Sequence, residues 1–391
     1  MAKKLNEVNI YNKKIIMRVD YNVTIKDGQI QSTKKIDDTF NTIDYLLNQN
    51  CSIILLSHYG RIKSEEDKTN NSLRPIYEYI KKLNKYDIEF CSTPKGIELE
   101  ERACNLTPKK ILLIENTRFM DLEGNLESSC DDDLSKYWAS LADFYIDDAF
   151  GSMHRNHASV TGIPKYLPSA VGFLVEKEIE NLNILLSQTP RPFVVVMGGA
   201  KLEDKIELIY TLAEKADYIL LGGGIANTFL KAAGFNLGAS LYSKGSVNIA
   251  RAIMQEFPDK IILPKDAVVS PSYSETIYNL KAISEIEIDD VIGDIGYEAV
   301  TNYKKIIDSA ATIFINGTVG MYEKLEFSNG TQEILRITGE TNAIKIVGGG
   351  DALNAAKKFQ QENKMSFIST GGGATLSYIA NGTLPGLEVI N

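Results

Sequence analysis

Apolar, β-branched segments alternate with amphipathic segments along both halves of the chain. In the first half, strand-like segments occupy residues 13–22, 51–61, 109–118 and 142–151. Segments with helical periodicity separate them, at residues 37–50, 72–84 and 132–142. Continuous apolar strands that alternate with helices predict parallel sheets covered by helices on both faces. The same alternation resumes after Pro192.

A pair of prolines separates the two alternating halves. The helix-like run at residues 175–193 is stopped by Pro190 and Pro192, because proline cannot continue a helix and favours extended backbone before it. We therefore predict an α/β protein of two doubly wound, Rossmann-like domains with mostly parallel sheets, joined by an interdomain helix. The expected first domain is 1–174, the helix is 175–190, and the second domain is 191–375.

Glycine runs follow the predicted strands of the second half. They lie at residues 198–199, 222–224, 348–350 and 371–373, each before a helix-like segment. Such turns place unhindered N–H groups beside the positive end of a helix dipole, a geometry that receives phosphate. Several of them in one domain predict a nucleotide along the sheet edge. The P-loop motif is absent, and so is a clean dinucleotide fingerprint, which argues against P-loop and NAD-binding enzymes.

Basic side chains follow the predicted strands of the first half instead. Arg61, Arg118 and Arg155 lie in these loops together with His58. Ligands of doubly wound sheets bind beyond the carboxyl ends of the strands, and the planar guanidinium group binds phosphate or carboxylate through paired hydrogen bonds. Unrelated surface ion pairs are the alternative interpretation. We favour a pocket for a small acid, and the two halves together indicate a two-substrate transferase more than a dehydrogenase.

Charged residues accompany the glycine turns. Lys201 and Lys205 are four residues apart, so a helix would place them on one face, able to contact two phosphate oxygens; a solvated basic face is the alternative. Asp351 follows the third glycine run, where a carboxylate is explained by intervening Mg²⁺ or by an ordinary helix N-cap. His154 and His157 have the spacing of a metal pair, but without further cysteine or histidine nearby we expect one imidazole to contact an anion.

Composition narrows the class of protein further. The 391 residues suit two domains, and the net charge of −9 argues against nucleic acid or an acidic membrane as a partner. Four cysteines without a CxxC pair predict reduced thiols, and the polar N-terminus lacks an apolar signal core. We therefore expect a cytoplasmic protein that acts on small molecules.

Nine motifs carry a resemblance to a known family across essentially the whole chain. They are RVDYN, SHYGR, ENTR, DDAFGSMHRNHAS, GGAKLEDK, GGGIANTFLK, NGTVGMYE, GGGD and STGGGAT, in this order. The chain resembles phosphoglycerate kinases. The resemblance implies reversible phosphoryl transfer between 1,3-bisphosphoglycerate and ADP, giving 3-phosphoglycerate and ATP, with Mg²⁺ as cofactor. It also implies a monomer, domain closure in turnover, and residues 376–391 packing back onto the first domain.

The resemblance also implies roles for individual residues. The residues expected to hold 3-phosphoglycerate are Asp20, Asn22, His58, Arg61, Arg118 and Arg155. Those expected to act in catalysis are Lys35, Lys201, Gly350 and Gly372. Nucleotide binding is expected of Lys205, Gly199, Gly222, Gly223, Gly296, Asn316, Glu323, Gly349, Gly350, Asp351 and Ala352. Asp351 would also bind the Mg²⁺.

Several positions depart from the family pattern. Lys35 stands where an arginine is the rule, and lysine lacks the two-pronged geometry of arginine. Ala352 replaces a serine or threonine that offers a hydroxyl to the nucleotide, and Asp148 replaces an asparagine. Three interpretations follow: an active phosphoglycerate kinase, at full or reduced rate; a paralogue that phosphorylates a different carboxylate; and a nucleotide-binding protein without turnover. Retention of the arginines, both lysines and Asp351 favours the first.

Overall fold

The computed structural model describes residues 2–26 and 28–390 and divides into two compact units. The first unit comprises Met1–Glu180 and Thr383–Asn391, and the second comprises Asn181–Gly382. The boundary therefore falls inside a helix, Phe173–Leu186, and residues 376–382 belong to the second unit. Only the last few residues return to the first unit, where the Gly386 amide donates to the Met153 carbonyl over 2.9 Å.

The first unit contains eight strands and seven helices among the described residues before the boundary. The strands are β1 (Lys14–Arg18), β2 (Ile25–Lys26), β3 (Gln29–Ile30), β4 (Ser52–Leu56), β5 (Ile88–Cys91), β6 (Ile111–Ile114), β7 (Phe144–Asp147) and β8 (Ser169–Val171). The helices are α1 (Lys34–Asp37), α2 (Phe40–Asn48), α3 (Glu65–Asn70), α4 (Arg74–Lys82), α5 (Ile97–Cys104), α6 (Asp132–Ala139) and α7 (Phe173–Leu186).

Six of these strands form one parallel sheet in the order β5-β6-β4-β1-β7-β8. Its strands are apolar on both faces. Ile15 and Met17 of β1 belong to one buried cluster, whereas Ile16 between them belongs to another. Burial on both faces explains why these strands are continuous apolar runs in the sequence. The parallel, doubly wound fold predicted from the alternation is confirmed.

The second unit contains nine strands and seven helices among its described residues. The strands are β9 (Phe193–Met197), β10 (Tyr218–Leu221), β11 (Ile261–Ile262), β12 (Asp266–Ser270), β13 (Asn279–Ala282), β14 (Val291–Ile295), β15 (Thr312–Asn316), β16 (Ile344–Gly348) and β17 (Phe367–Ile368). The helices are α8 (Ile206–Lys215), α9 (Gly223–Ala232), α10 (Val247–Glu256), α11 (Tyr297–Asp308), α12 (Asn329–Glu340), α13 (Gly350–Lys358) and α14 (Gly373–Asn381). A final short helix of the chain, α15 (Pro385–Glu388), lies in the first unit.

The second unit holds a parallel sheet in the order β11-β10-β9-β15-β16-β17 and a smaller antiparallel sheet in the order β13-β12-β14. The smaller sheet was not predicted, because short apolar runs in a sequence carry no information about strand direction. No helix among the described residues is long and apolar enough to span a membrane.

Register aligns the strand ends of each parallel sheet. Leu221, Met197, Asn316 and Gly348 form one row across four neighbouring strands of the second unit. The loops that begin with glycine therefore leave the sheet at the same level. In the first unit Arg18 is in register with Leu56 and with Asp147, so the loops after β1, β4 and β7 also start side by side. This alignment brings together residues that are far apart in the sequence.

Candidate functional site

A buried arginine at the end of β1 organises the basic loops of the first unit. The Arg18 side chain is fully buried, and its Nη2 lies 3.0 Å from Nδ1 of His58. Its Nε donates to the Ser159 hydroxyl over 2.9 Å. Burial and the Arg18 charge lower the pKa of His58 well below its ordinary value. His58 is therefore a neutral imidazole at the carboxyl end of β4.

The loop after β4 is fixed by the loop after β6. The Asn116 side chain donates to the Tyr59 carbonyl over 2.6 Å and accepts from the Tyr59 amide over 3.1 Å. Its Oδ1 also accepts from the Arg118 amide, and Arg118 Nη1 donates to the Gly60 carbonyl over 2.6 Å. Asn22 accepts from the Gly60 amide over 3.1 Å. Loops from three strands are thus joined around Gly60, and they carry Asn22, His58, Arg61 and Arg118.

Four buried side-chain nitrogens in these loops have no hydrogen-bond partner among the described residues. They are Arg118 Nε, His154 Nδ1, Arg155 Nη1 and His157 Nδ1. Buried polar groups in folded proteins are nearly always paired, so such a group requires a ligand or water. Burial lowers the pKa of Arg118 and Arg155, and each of these pKa values is lowered further by neighbouring arginines. This concentration of positive charge favours an anion.

The three arginines predicted to act together lie close to one another. Arg155 lowers the pKa of Arg118, and Arg61 lowers the pKa of Arg155. Arg61 itself is exposed. His157 is held neutral, because burial and then Arg18 lower its pKa to about 3. The imidazoles of His154 and His157 can therefore contribute hydrogen bonds to a ligand while the arginines contribute charge.

Lys35 lies at the same edge but is already paired. Its Nζ is 2.8 Å from Oδ2 of Asp20 and 3.4 Å from the Asn22 carbonyl oxygen. Burial acts to raise the pKa of Asp20, but the Lys35 charge and hydrogen bond help to lower it to about 2. Asp20 is therefore ionised. A single ammonium group therefore occupies the position where the resemblance leads us to expect a guanidinium fork.

Glycine is required where the loops of the second unit meet. Gly223 has a φ of +60°, and its amide donates to the Val319 carbonyl over 2.9 Å. A Cβ at Gly222 would lie 2.4 Å from the Cα of Val319, too close for any side chain. The loops after β10 and β15 therefore pack backbone against backbone. This packing uses the amides of both glycines, because the Gly222 amide also donates to the Met197 carbonyl over 3.0 Å.

Lys205 reaches back across these turns. Its Nζ donates to the Gly198 carbonyl over 2.6 Å, and a Cβ at Gly199 or Gly317 would lie 3.3 or 3.0 Å from this nitrogen. Burial lowers the pKa of Lys205 to about 8, although Asp351 and Asp204 act in the opposite direction. A partly desolvated ammonium group thus lies over bare backbone, close to the predicted metal ligand.

The expected pairing of Lys201 with Lys205 on one helix face is wrong. Helix α8 begins only at Ile206, after a short 3₁₀ turn at Glu203–Lys205. Lys201 precedes that turn in irregular backbone and is exposed, whereas Lys205 is partly buried and burial lowers the pKa of its ammonium group. The sequence suggested a helix because the lysine spacing fits one turn, but the segment between them contains irregular backbone and a 3₁₀ turn. The two lysines therefore have different surroundings.

Asp351 is exposed in the first turn of α13. It lies near Tyr322, whose pKa is raised by burial and by the charges of Glu323 and Asp351. The side chain of Asn316 donates to the Gly348 carbonyl over 2.7 Å, and its Oδ1 is buried without a partner among the described residues. These observations place Glu323, Asn316 and Asp351 around the edge of β15 and β16.

Other predicted residues of the second unit differ in their surroundings. The Ala352 methyl group is buried in the apolar core, so only its backbone N–H at the start of α13 faces outward from the helix end. The Asp266 carboxylate accepts from the amides of Glu298 and Ala299, and it therefore already caps the helix after Gly296. At Gly350 and Gly372, by contrast, an added Cβ would meet no atom within 4 Å.

A small cavity of about 10 Å³ lies beside the glycine turns of the second unit. Gly223, Asn227, Ile292 and Val319 contribute to its largely apolar lining. Among the described residues no group of three or more His, Cys, Asp or Glu side chains could hold a metal ion by itself. A magnesium ion at Asp351 would therefore need phosphate oxygens and water as its other ligands, which is how Mg²⁺ commonly binds.

The sequence interpretation missed the residues beneath the basic loops. Glu127 is fully buried and accepts from the Ser159 hydroxyl over 2.5 Å and the Ser159 amide over 2.9 Å. Burial raises its pKa. Arg18 was not predicted to be a site residue. Its position inside the RVDYN motif, in an otherwise apolar strand, was the available signal.

Fold and site together define a class of protein. One doubly wound unit carries a concentrated cationic site, and the other carries glycine turns, a lysine and a carboxylate along one sheet edge. This combination is that of a two-domain α/β phosphotransferase.

Comparison with known proteins specifies the family. The model of the family described as "Phosphoglycerate kinase" matches residues 5–382. The chain is 42% identical to the phosphoglycerate kinase of Enterococcus faecalis and 41% identical to that of Listeria innocua, in both cases over 100% of both chains. The chain belongs to the phosphoglycerate kinase family, which consists of phosphotransferases with a carboxyl group as acceptor.

Solved structures agree with this assignment. The phosphoglycerate kinase of Coxiella burnetii superposes with a TM-score of 0.89 at 32% identity, covering 100% of this chain and 99% of the other. That of Pyrococcus horikoshii gives a TM-score of 0.85 at 29% identity, covering 99% and 98%. The similarity therefore extends over both units.

Proposed function

We propose that the chain catalyses reversible phosphoryl transfer between 1,3-bisphosphoglycerate and ADP, giving 3-phosphoglycerate and ATP. The observation that carries the proposal is the set of four buried nitrogens without a hydrogen-bond partner among the described residues, two in Arg118 and Arg155 and two in His154 and His157. Such a site suits a small molecule with both a phosphate and a carboxylate. Asp20, Asn22, His58, Arg61, Arg118 and Arg155 are the proposed ligands of 3-phosphoglycerate.

The proposed reaction needs no general base. A carboxylate is ionised at neutral pH and can attack the γ-phosphorus of ATP directly. What it needs is alignment and neutralisation of charge on the transferred group. The basic loops can align the acid substrate, because His58 is neutral and held in place while the arginines remain charged. In our proposal Lys35 contacts the reacting carboxyl group and Lys201, which is exposed, contacts the transferred phosphoryl group.

The second unit is the proposed nucleotide site. Gly199 and the N-termini of α13 and α14 at Gly349, Gly350 and Gly372 offer backbone N–H groups to phosphates. The amides of Gly222 and Gly223 donate to the Met197 and Val319 carbonyls, so these two glycines contribute bare backbone that a nucleotide can approach closely. Lys205 contacts the phosphates, Asn316 and Gly296 border the adenosine, and Glu323 contacts the ribose. Ala352 contributes through its backbone amide.

Asp351 fits the role of a magnesium ligand, because it is an exposed hard oxygen donor close to Lys205. When bound, Mg²⁺ would neutralise part of the charge on the phosphate oxygens. Further parts of the proposal are a monomer in the cytoplasm that acts on small molecules, and closure of the two domains during turnover. Size-exclusion chromatography with light scattering tests the monomer.

A coupled assay tests the reaction. ATP, Mg²⁺ and 3-phosphoglycerate, with glyceraldehyde-3-phosphate dehydrogenase as the coupling enzyme, should lead to consumption of NADH. Binding of both substrates without turnover would instead indicate a non-catalytic nucleotide-binding protein. Binding of ATP without binding of 3-phosphoglycerate would indicate a paralogue for another carboxylate, the alternative that the Lys35 position favours.

A further inference from the structure

A continuous buried chain of side chains leads from the interior of the first unit to His58. The Glu127 carboxylate accepts from the Ser159 hydroxyl over 2.5 Å, and the same hydroxyl accepts from Arg18 Nε over 2.9 Å. Arg18 Nη2 then meets His58 Nδ1 at 3.0 Å. None of these four side chains is more than 2% exposed. They come from the segment after β6, the segment after β7, the end of β1 and the end of β4.

The last contact of this chain determines where the imidazole proton is. A guanidinium group has only N–H donors and no acceptor. His58 Nδ1 must therefore accept, which leaves the single ring proton of the neutral imidazole on Nε2. A histidine without such a hydrogen bond would exchange between two tautomers and would become charged near pH 6.5. The hydrogen bond from Arg18 opposes both the exchange of tautomers and the protonation of His58.

Arg18 is in turn held by the fork geometry of its guanidinium. Nε faces Ser159, Nη2 faces His58, and Nη1 donates to the Val19 carbonyl. Three bonds in one plane fix the orientation of the group, which a lysine with a single ammonium nitrogen cannot reproduce. The Glu127 carboxylate at the other end supplies negative charge that Arg18, buried in the core, requires.

We infer that Arg18 is a positioning residue that holds His58 in the Nε2–H tautomer, so that His58 is a permanent neutral donor to the acid substrate. Glu127 and Ser159 support this role by orienting Arg18. The inference rests on the proposed function in one respect, because it takes the acceptor to be an oxygen of 3-phosphoglycerate. The charged groups that act on His58 are Arg18, Asp20, Arg118 and Arg155.

The tautomer can be measured directly, without substrate or activity. The chain has three histidines, His58, His154 and His157, so long-range ¹H–¹⁵N spectra of the ¹⁵N-histidine-labelled protein are simple to assign by substitution. We expect the His58 signals to show a protonated Nε2 and an acceptor Nδ1, unchanged from about pH 5.5 to about pH 8.5. A protonated Nδ1, or a His58 that titrates in this range, overturns the inference even if no variant is made.

Variants test whether Arg18 is responsible. In Arg18→Lys we expect His58 to show mixed tautomers and to titrate, and the KM for 3-phosphoglycerate to rise about tenfold and become pH-dependent, with a smaller change in kcat. Ser159→Ala should produce the same changes to a smaller extent. Lys110→Arg, in the exposed pair of Lys110 with Asp87, is the matched control and should change neither. Unaltered His58 spectra and KM in Arg18→Lys contradict the inference.

The two proposals fail in different ways. An inactive protein whose His58 shows the Nε2–H tautomer contradicts the proposed function and leaves the positioning role of Arg18 intact. An active protein whose His58 exchanges tautomers or titrates contradicts the positioning role and leaves the proposed function intact.

Discussion

Lys35 Nζ lies 2.8 Å from Oδ2 of Asp20, so the residue that departs from the family pattern is ion-paired with a proposed substrate ligand. The pair lies at the edge of the cationic site, and the Lys35 side chain is about one-third exposed. A lysine held by Asp20 has one charged nitrogen for both the carboxylate and any substrate. An arginine could keep the ion pair through one side of its fork and bind substrate with the other.

We therefore expect Lys35→Arg to increase kcat severalfold, with a smaller decrease in KM for 3-phosphoglycerate. The reason is alignment, since small displacements of reacting groups can cost about 10²-fold in rate. Steady-state kinetics in the coupled assay measure the change. Lys34→Arg is the matched control, because the neighbouring Lys34 is about half exposed and forms an i,i+4 ion pair with Asp38. An unchanged or reduced rate in Lys35→Arg would show that lysine is no handicap here.

The lowered pKa of Lys205 predicts that the protein takes up protons when it binds nucleotide. Its pKa is lowered to about 8 in the free protein, chiefly by burial, and phosphate charge should raise it. The protein should therefore take up about three-quarters of a proton at about pH 8.5, about a tenth at about pH 7, and bind ATP more weakly above about pH 8. Calorimetry in buffers with different ionisation enthalpies measures this uptake.

The control for this titration is a surface lysine. Lys205→Met should bind ATP more weakly and abolish the proton uptake, whereas Lys304→Met, which removes an exposed helical pair with Asp308, should leave both unchanged. Equal proton uptake by the protein and by Lys205→Met would assign the effect to another group.

The raised pKa of Asp148 predicts that the protein loses stability as the pH rises. Its Oδ1 accepts from the amides of Leu174 and Val175 at the start of α7, and burial raises its pKa from 3.8 to about 7. Between these two values the unfolded state binds fewer protons than the folded state, so the free energy of unfolding falls as pH rises. The loss is complete above about pH 7 and amounts to at most about 4 kcal/mol.

Asp148→Asn should remove this loss, because an amide oxygen can accept the same two hydrogen bonds without becoming charged. Urea unfolding measures the free energy of unfolding at each pH. It can be followed by the fluorescence of Trp138, the single tryptophan and a core residue of the first unit. We expect similar stabilities near pH 4 and a more stable variant at pH 8. Asp308→Asn, at an exposed position, is the control. A variant that is no more stable at pH 8 would refute this account of Asp148.

The close backbone contact at Gly222 predicts that no side chain is tolerated at this position of the proposed phosphate turns. Gly222→Ala would bring a methyl group to 2.4 Å from the Val319 Cα and so force the two loops apart. We expect a loss of about 1–3 kcal/mol in stability, as for other overpacked sites, together with weaker ATP binding. Gly245→Ala, where no atom lies within 4 Å of the added carbon, should have little effect in calorimetric unfolding. Equal transition temperatures for the two variants would contradict the packing argument.

The sequence by itself determined the architecture of the two parallel sheets and the chemistry of their strand ends. Buried strands such as β1 and β9 are apolar on both faces, and helices with local periodicity separate them, so the pattern is readable without tertiary structure. The motifs at the strand ends were sufficient to indicate the family. Glycine after β10 and β16 could be recognised because each turn and its following helix are consecutive in sequence.

Tertiary structure alone decided which side chains meet and in what state. Arg18, Ser159 and Glu127 are far apart along the chain and come together only through strand register and loop packing. The same packing buries Ala352 in the core and separates the surroundings of Lys201 and Lys205. Periodicity shows which face of an element is apolar. The protonation states of His58 and Asp148, by contrast, are set by burial and by neighbouring charges. Burial and neighbouring charges depend on residues that are distant in sequence.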